Sequence, residues 1–417
     1  MAIKGGPFMN LDLEFVRAQF PAFREPTLAD FAHFENAGGS YAAGQTIDWL
    51  DRYYRQTKVQ PYYAFAASAM AGEQMDAAKA RMAAWLNVGQ DEIHFGPSTS
   101  QNTFVLAQAL RRHLKAGDEV IVTNQDHEAN VGAYSRLADD GITVHEWKIN
   151  PETAELERKD LEALLGPRTR LVAFTHCSNV VGSINAVREF TDLAHDAGAF
   201  AFVDGVAFAP HGMPDLKALG VDAYFFSLYK VYGPHLGTMF LRSEVNAALP
   251  NQGHFLNGSK PGARFTPAGP DHAQIAAVNG VLDYMHAIAD RHGQQGKSEE
   301  SRAQAVRELF RAHETALLQP LLDFLAKHPK VRLIGRTRAA ERAPTVSFTV
   351  KGQSSADIAA RLDAARLGVG VGNFYAYRLI QALGIDTEDG AVRVSFVHYT
   401  SKDEVDRLLQ ELDRCLN

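Results

Sequence analysis

From about residue 74 to 245, short apolar runs alternate with segments of helical period, and this alternation restricts what the chain can fold into more than any other feature. The runs are Glu92-Ile-His-Phe95, Glu119-Val-Ile-Val122, Thr143-Val-His-Glu-Trp147, Leu171-Val-Ala-Phe174, Phe200-Ala-Phe-Val203, Ala223-Tyr-Phe-Phe226 and Gly237-Thr-Met-Phe-Leu241. Strand-length runs separated by helix-length stretches are the rhythm of βαβ units, and they predict an α/β fold with a mostly parallel sheet covered on both faces. In one intervening stretch Val187, Phe190, Leu193, Ala194 and Ala197 recur at helical spacing and stop at Gly198, a good C-terminal cap.

Beyond about residue 290 the texture changes. Lys297 to Lys327 reads as mainly helical with a break at Pro320, and then Val331-Arg-Leu-Ile334, Thr345-Val-Ser-Phe-Thr-Val350 and Val392-Arg-Val-Ser-Phe396 alternate like half-exposed strands. The last helix opens with a capping box from Ser401 to Glu404 and carries Val405, Leu408, Leu409, Leu412 and Leu416 on one stripe. A length of 417 residues accommodates this division. We expect a large α/β domain over 25–290 and a smaller α+β domain over 291–417, with residues 1–24, including a helix over Leu11 to Phe20, packing on the small domain.

The chemistry concentrates at strand ends. Ala223-Tyr-Phe-Phe226 leads through Ser227-Leu-Tyr229 to Lys230 and a Gly-Pro turn, which sets a lysine at the C-terminal tip of a buried strand. In open α/β sheets that edge binds ligands, and a desolvated amine there has the lowered basicity that Schiff-base chemistry needs. A lone strand-end lysine can equally snorkel to solvent, so the neighbouring strand ends decide. Phe200-Ala-Phe-Val203 ends in Asp204-Gly205, and an acid leaving an apolar strand is costly to bury without a cation. A protonated pyridine nitrogen is such a cation, and pyridoxal phosphate requires a carboxylate there. Phe174-Thr-His-Cys-Ser-Asn179 brings an amide that can donate to the cofactor's phenolic oxygen. Gly96-Pro-Ser98-Thr99-Ser100-Gln101 precedes a helix, so free N–H groups and hydroxyls form an anion site for a phosphate. Asn124-Gln-Asp-His127-Glu-Ala-Asn130 sets an imidazole at the same edge, to stack on a planar ring or move protons. His127-Glu128 is no zinc-protease motif, because position 131 is valine.

Other partners find no support. The net charge of -7 comes without a Lys/Arg-rich block, which argues against nucleic acid and anionic membrane surfaces. Two cysteines, Cys177 and Cys415, in no paired spacing argue against a disulfide framework, a zinc knuckle or other metal centre, and an oxidising compartment. The opening residues lack an apolar core for export and no stretch is long enough to span a bilayer, so a cytoplasmic location is expected.

Set in order, these pieces resemble the class V aminotransferase and cysteine desulfurase-like family of fold-type I pyridoxal phosphate enzymes. Phe34-Glu-Asn36-Ala37-Gly38 is similar to that family's opening "LDNAA", Thr99-Ser100-Gln101 to its "TTE" phosphate turn and His127-Glu-Ala-Asn130 to its "HHAN" stacking-histidine segment. Thr175-His-Cys-Ser-Asn179-Val-Val-Gly182 looks like "SNVLG", Val203-Asp204-Gly205 like the pyridine-nitrogen aspartate, and Ser227 with Lys230 like the phosphate-binding serine and Schiff-base lysine. Ala391-Val-Arg393-Val-Ser-Phe396 resembles the strand whose arginine clamps the substrate carboxylate, with Asn36 assisting. The resemblance covers nearly the whole chain and implies a homodimer with the site near the subunit boundary.

The departures narrow the expected reaction. Where cysteine desulfurases carry a mobile-loop cysteine, this chain has Gly370-Val-Gly372-Asn373-Phe374-Tyr375-Ala376, and neither aromatic residue can hold a persulfide. The family's glutamine after the aspartate is Ala207, the histidine before the lysine is Tyr229, and the "GTP" turn offered across the subunit boundary is weakened to Ala268-Gly269-Pro270. Gly368-Val-Gly370-Val-Gly372 lacks the βα context of a dinucleotide fingerprint and reads as a flexible loop. Tyr53-Tyr54 and Pro61-Tyr-Tyr-Ala-Phe65 line the substrate mouth or pack a dimer interface. The leading expectation is a lyase acting by β-elimination on a sulfur-bearing amino acid without a protein persulfide. Transamination follows it, then epimerisation. The alternative from another class is a noncatalytic ligand-binding scaffold, against which Lys230, Asp204, His127 and Arg393 weigh together.

Overall fold

The computed structural model describes residues 10–269 and 271–416. The opening stretch read for an export signal, and Pro270 of the weakened turn, therefore lie outside the described residues. The strands are β1 (Ala32–Phe34), β2 (Ile93–Gly96), β3 (Glu119–Thr123), β4 (Thr143–Trp147), β5 (Thr169–Thr175), β6 (Phe200–Asp204), β7 (Ala223–Ser227), β8 (Gly237–Leu241), β9 (Val331–Leu333), β10 (Thr345–Val350), β11 (Leu367–Gly372) and β12 (Ala391–Ser395).

Seven of them form the large sheet in the order β2-β8-β7-β6-β5-β3-β4, parallel except at β8, which runs antiparallel to both its neighbours. This is the mostly parallel sheet expected from the alternating runs. Its strands are apolar throughout because both faces are covered. With side chains alternating across the sheet, Val120, Val122, Leu171, Ala173, Phe202 and Phe225 pack under Leu106, Leu110, Val131 and Tyr134 of helices Thr99–His113 and Glu128–Ser135. Ile121, Val172, Phe174, Ala201, Val203, Tyr224 and Phe226 face the other way, onto Val187, Phe190 and Ala194 of helix Val187–Asp196 and onto helix His272–Arg291. Gly198, at φ +77°, ends that crossover in the left-handed conformation its sequence position implied.

The small sheet has the order β1-β11-β12-β10-β9. Two expectations are corrected here. Gly368 to Gly372 is no flexible loop but β11, parallel to β1 and antiparallel to β12. Its glycines are there for close packing: a Cβ on Gly370 would lie 2.5 Å from Glu35 Oε1 and 3.0 Å from Phe374. It follows that Ala32–Phe34, assigned by the sequence to the large domain, hydrogen-bonds into the small sheet.

Pro320 does not break its helix, which runs unbroken over Glu299–Lys327. The local penalty of an interior proline is outweighed by the buried stripe Leu317, Leu318, Leu321, Leu322 and Leu325 on the small-domain core. The N-terminal helix, Leu13–Ala18, sits at the seam and not on the small domain alone: Asp12 pairs with Arg291, Arg17 with Glu404, and Phe20 packs edge-on against Tyr232, Tyr284 and Tyr399. The final capping box forms as read, with Ser401 N–H donating to Glu404 Oε2 at 2.7 Å and Glu404 N–H to Ser401 Oγ at 3.1 Å.

Candidate active site

Because β3, β5, β6 and β7 are parallel, their C-terminal ends reach one edge of the large sheet, and a cleft with about 650 Å³ of empty space opens there. Ser98, Thr99, Ser100, His127, Asn179, Asp204, Ser227 and Lys230 all line it, together with Ala207, Tyr229 and His235. All but two of the residues given a catalytic, cofactor-binding or carboxylate-binding role from the sequence thus converge on one cavity. Asn36 and Arg393 are not in its wall.

Lys230 follows β7 in a one-turn 3-10 segment, Leu228–Lys230, and is only 7% exposed. Burial, and secondarily the Arg393 guanidinium, lower its amine to about 8, against the opposing pull of Asp204 and Glu35. Asp204 ends β6 and is buried, which pushes its carboxyl up to about 6 although it accepts the Val206 N–H at 2.8 Å and lies near Lys230. Such a carboxylate is stabilised by a cation brought into the cleft, which is what a protonated pyridine ring offers. Gly205 must be glycine, since a Cβ would fall 2.0 Å from the Tyr224 ring that packs beneath it.

His127 caps helix Glu128–Ser135, accepting the Ala129 N–H on Nδ1 at 3.0 Å. Burial, with the nearby Lys230 and Arg393 charges, lowers it to about 4, so the imidazole is neutral and its proton is on Nε2. The turn that carries it is held by buried Asp126, which accepts Thr123 Oγ1–H at 2.5 Å and Asn130 Nδ2–H at 3.1 Å. Ser98 caps helix Thr99–His113 by accepting the Gln101 N–H at 3.2 Å, and Thr99 Oγ1 lies 2.8 Å from Ser227 Oγ. A helix N-terminus and several hydroxyls thus point toward one end of the cleft, a donor set that suits a phosphate. Tyr229 stacks on His235 with centroids 4.9 Å apart and planes 4° apart, a pair the sequence reading missed although both residues flank the lysine turn.

Arg393, on β12, is buried and already partnered. Its Nη1 donates to the Asn179 carbonyl at 2.9 Å, its Nη2 pairs with Glu35, and the Phe374 ring lies 3.9 Å from the guanidinium carbon. Glu35 was not singled out from the sequence; an acid beside Asn36 in the opening motif was the available signal. Asn36 is also engaged, accepting the Tyr399 hydroxyl and donating to the His33 and Ser395 carbonyls. Asn179 donates its side-chain amide to the Phe374 carbonyl at 2.9 Å. Phe374 and Tyr375 both adopt left-handed backbone, at φ +55° and +57°. Two such residues in succession carry strain of order 1–3 kcal/mol each, held here by the Glu128 N–H to Tyr375 carbonyl bond of 2.7 Å and by the Tyr375 ring, 5.3 Å from His127.

The aromatic loop stays away from this cleft: Tyr53 is buried, and Tyr54, Tyr62, Tyr63 and Phe65 are exposed without lining it. Cys177 lies just past β5, in an isolated bridge to Ile184. It borders the cleft, yet burial pushes its thiol up to about 12. Cys415 is on the last helix, Lys402–Leu416.

A family model described as aminotransferase class-V matches residues 32–408. Among curated relatives, the "Aminotransferase-like protein FGM3" of Gibberella zeae is 35% identical over 98% of this chain and 99% of its own length. The "Cysteine desulfurase-like protein ustD" of Aspergillus flavus is 33% identical over 97% of this chain and 90% of its own. Among solved structures, the apo cysteine desulfurase of Thermococcus onnurineus superposes with a TM-score of 0.85 at 24% identity, covering 98% of both chains. The last likeness speaks for the fold alone, whereas the model match and the two relatives extend over the strands and turns that build the cleft. On these grounds the chain belongs to the class V aminotransferase and cysteine desulfurase-like family and is a pyridoxal phosphate-dependent enzyme.

Proposed function

We propose that the chain is a C–S lyase that acts by β-elimination on an amino acid with a sulfur leaving group and releases the sulfur without loading it onto a protein cysteine. Bound pyridoxal phosphate supplies the electron sink for the pair freed when a Cα bond breaks. In this reading Lys230 holds the cofactor covalently, Asp204 meets its pyridine nitrogen, His127 stacks on its ring, Asn179 donates to its phenolic oxygen, and Thr99, Ser100 and Ser227 hold its phosphate. Arg393 takes the substrate carboxylate after Glu35 gives way. Asn36, with its amide committed to Tyr399, His33 and Ser395, supports that corner from behind. Once released, Lys230 takes the Cα proton, a role helped by the burial that lowers its amine to about 8 and raises the neutral fraction. The exposed Tyr54, Tyr62, Tyr63 and Phe65, with Ile47 and Met70, suit a second copy of the chain, so a homodimer is part of this reading.

The observation that carries it is the pairing of a desulfurase-like site with unsuitable thiols. The loop over the cleft presents Phe374 and Tyr375, and the one thiol that borders the cleft, Cys177, is held protonated by burial. A second reading, transamination, is favoured by the name of the Gibberella zeae relative. Incubation with L-cysteine and other β-substituted amino acids separates the two. Elimination yields sulfide, or the corresponding leaving group, in equal amount with pyruvate and ammonia. A keto acid that still carries the substrate's β-substituent, with the cofactor left in its amine form, would overturn it in favour of transamination.

A further inference from the structure

Lys230 also borders a second cavity of water-sized width, the back cavity, lined by Lys230, Asn36, Ser395, Thr345, Ala207 and His211 among others. Val206, Ala207 and Lys230 form part of the wall of both spaces, so the lysine stands between them. His211 ends the short Ala209–His211 turn, and its Nδ1 lies 3.0 Å from Glu314 Oε2, a side chain of the long helix Glu299–Lys327. Glu314 is fully buried, and its other oxygen, Oε1, has no hydrogen-bond partner among the described residues. A carboxylate in that setting is costly unless its imidazole partner carries the compensating charge whenever it is ionised. With Nδ1 committed to Glu314, Nε2 is the ring nitrogen left for the cavity.

Resting on the reading of Lys230 as the cofactor-bearing lysine, we propose that His211 and Glu314 form a proton-holding pair that exchanges with Lys230 through one water in the back cavity. The Lys230 ammonium passes a proton to the water, the water passes one to His211 Nε2, and the Glu314 carboxylate stabilises the imidazolium; the reverse returns it. Such an exit would matter with the cofactor bound in the main cleft, because the back cavity also borders the amine whose proton must leave before it can attack. The groups that face the pair are consistent with this role. Arg311 lies one turn earlier on the same helix and interacts with Glu314, and Arg307 packs its stem against Gly212 while donating to the Met213 carbonyl. Tyr232 donates to the Pro210 carbonyl at 2.5 Å and lies 3.1 Å from His398, whose other ring nitrogen meets Tyr284. His398 is held well below the ordinary histidine range by burial first, then by His313 and His211.

The test uses apoprotein mixed with saturating pyridoxal phosphate in a stopped-flow instrument, following the visible chromophore that borohydride fixes. At about pH 7, His211→Gln should slow the covalent step at least tenfold, within the range for positioned proton transfer. Glu314→Gln, which keeps the shape of the pair but not its charge, should reproduce most of that loss. At about pH 9.5, where Lys230 is neutral before the cofactor arrives, both variants should match the parent in rate, and equilibrium cofactor affinity should be unchanged throughout. Equal slowing at both pH values points to a structural role and overturns the relay, as does parent-like behaviour at pH 7. Lys230→Ala is the separate control: a borohydride-fixed adduct persisting in it sinks the lysine assignment and not the relay alone.

Discussion

At the scale of single residues, the site is a set of groups whose burial decides their protonation. Lys230 at about 8 is the clearest case, because the neutral amine is the form that attacks a carbonyl. Below that value the neutral fraction grows about tenfold per pH unit, so uptake of pyridoxal phosphate by apoprotein should quicken as pH rises through 8 and then level off. Arg393 is the largest charge lowering the lysine, so Arg393→Gln should move that midpoint upward; Asp204 raises it, so Asp204→Asn should move it downward. A midpoint near the ordinary lysine value in the parent protein would contradict the burial argument. Much of this was legible in advance. An acid and an amine that leave apolar runs cannot both be incidental, and the sequence names Asp204, His127 and Lys230 correctly as neighbours of one cleft. Glu35 was not legible, because nothing local tells an exposed acid from one that reaches Arg393, 358 positions away.

At the scale of elements, strand ends and helix caps locate the chemistry. The turn from β2 into helix Thr99–His113 passes so close to the start of β8 that a Cβ on Gly237 would meet the Ser98 carbonyl carbon at 2.4 Å and the Thr99 nitrogen at 2.6 Å. Backbone atoms cannot yield as a flexible side chain does, so Gly237→Ala should displace the helix N-terminus and weaken cofactor binding at least tenfold, about 1.4 kcal/mol. Equilibrium titration of the apo variant with pyridoxal phosphate measures this, and an unchanged affinity would mean that the N-terminus is not part of the phosphate site. Helices with a clean apolar stripe, such as Val187–Asp196 and Lys402–Leu416, could be read from spacing alone. β11 could not, because alternating glycines carry no hydrophobic period and owe their place to Glu35, Phe374 and Phe31 packed against them. Pro320 misled for the opposite reason: a local rule was overridden by the leucines buried around it.

At the scale of the whole molecule, the two sheets divide the work. The large sheet presents Lys230, Asp204, Asn179 and the Thr99 helix at one edge, while the small sheet brings Arg393 and Glu35 to the same corner from the other side. The order of chemical segments along the chain carried the first half of that arrangement, since parallel strands collect their ends at one edge. The second half depends on β1 joining the small sheet, a pairing between residues 32–34 and 367–369 that no local pattern announces. No helix of the described residues is long and apolar enough to cross a membrane. Everything in this account turns on one lysine. The most direct measurement is borohydride reduction of the purified, cofactor-loaded protein, followed by proteolysis and mass spectrometry of the labelled peptide. The account requires the reduced pyridoxyl group on Lys230 and its loss in Lys230→Ala; a label on another lysine, or no label in a protein saturated with the cofactor, would contradict it.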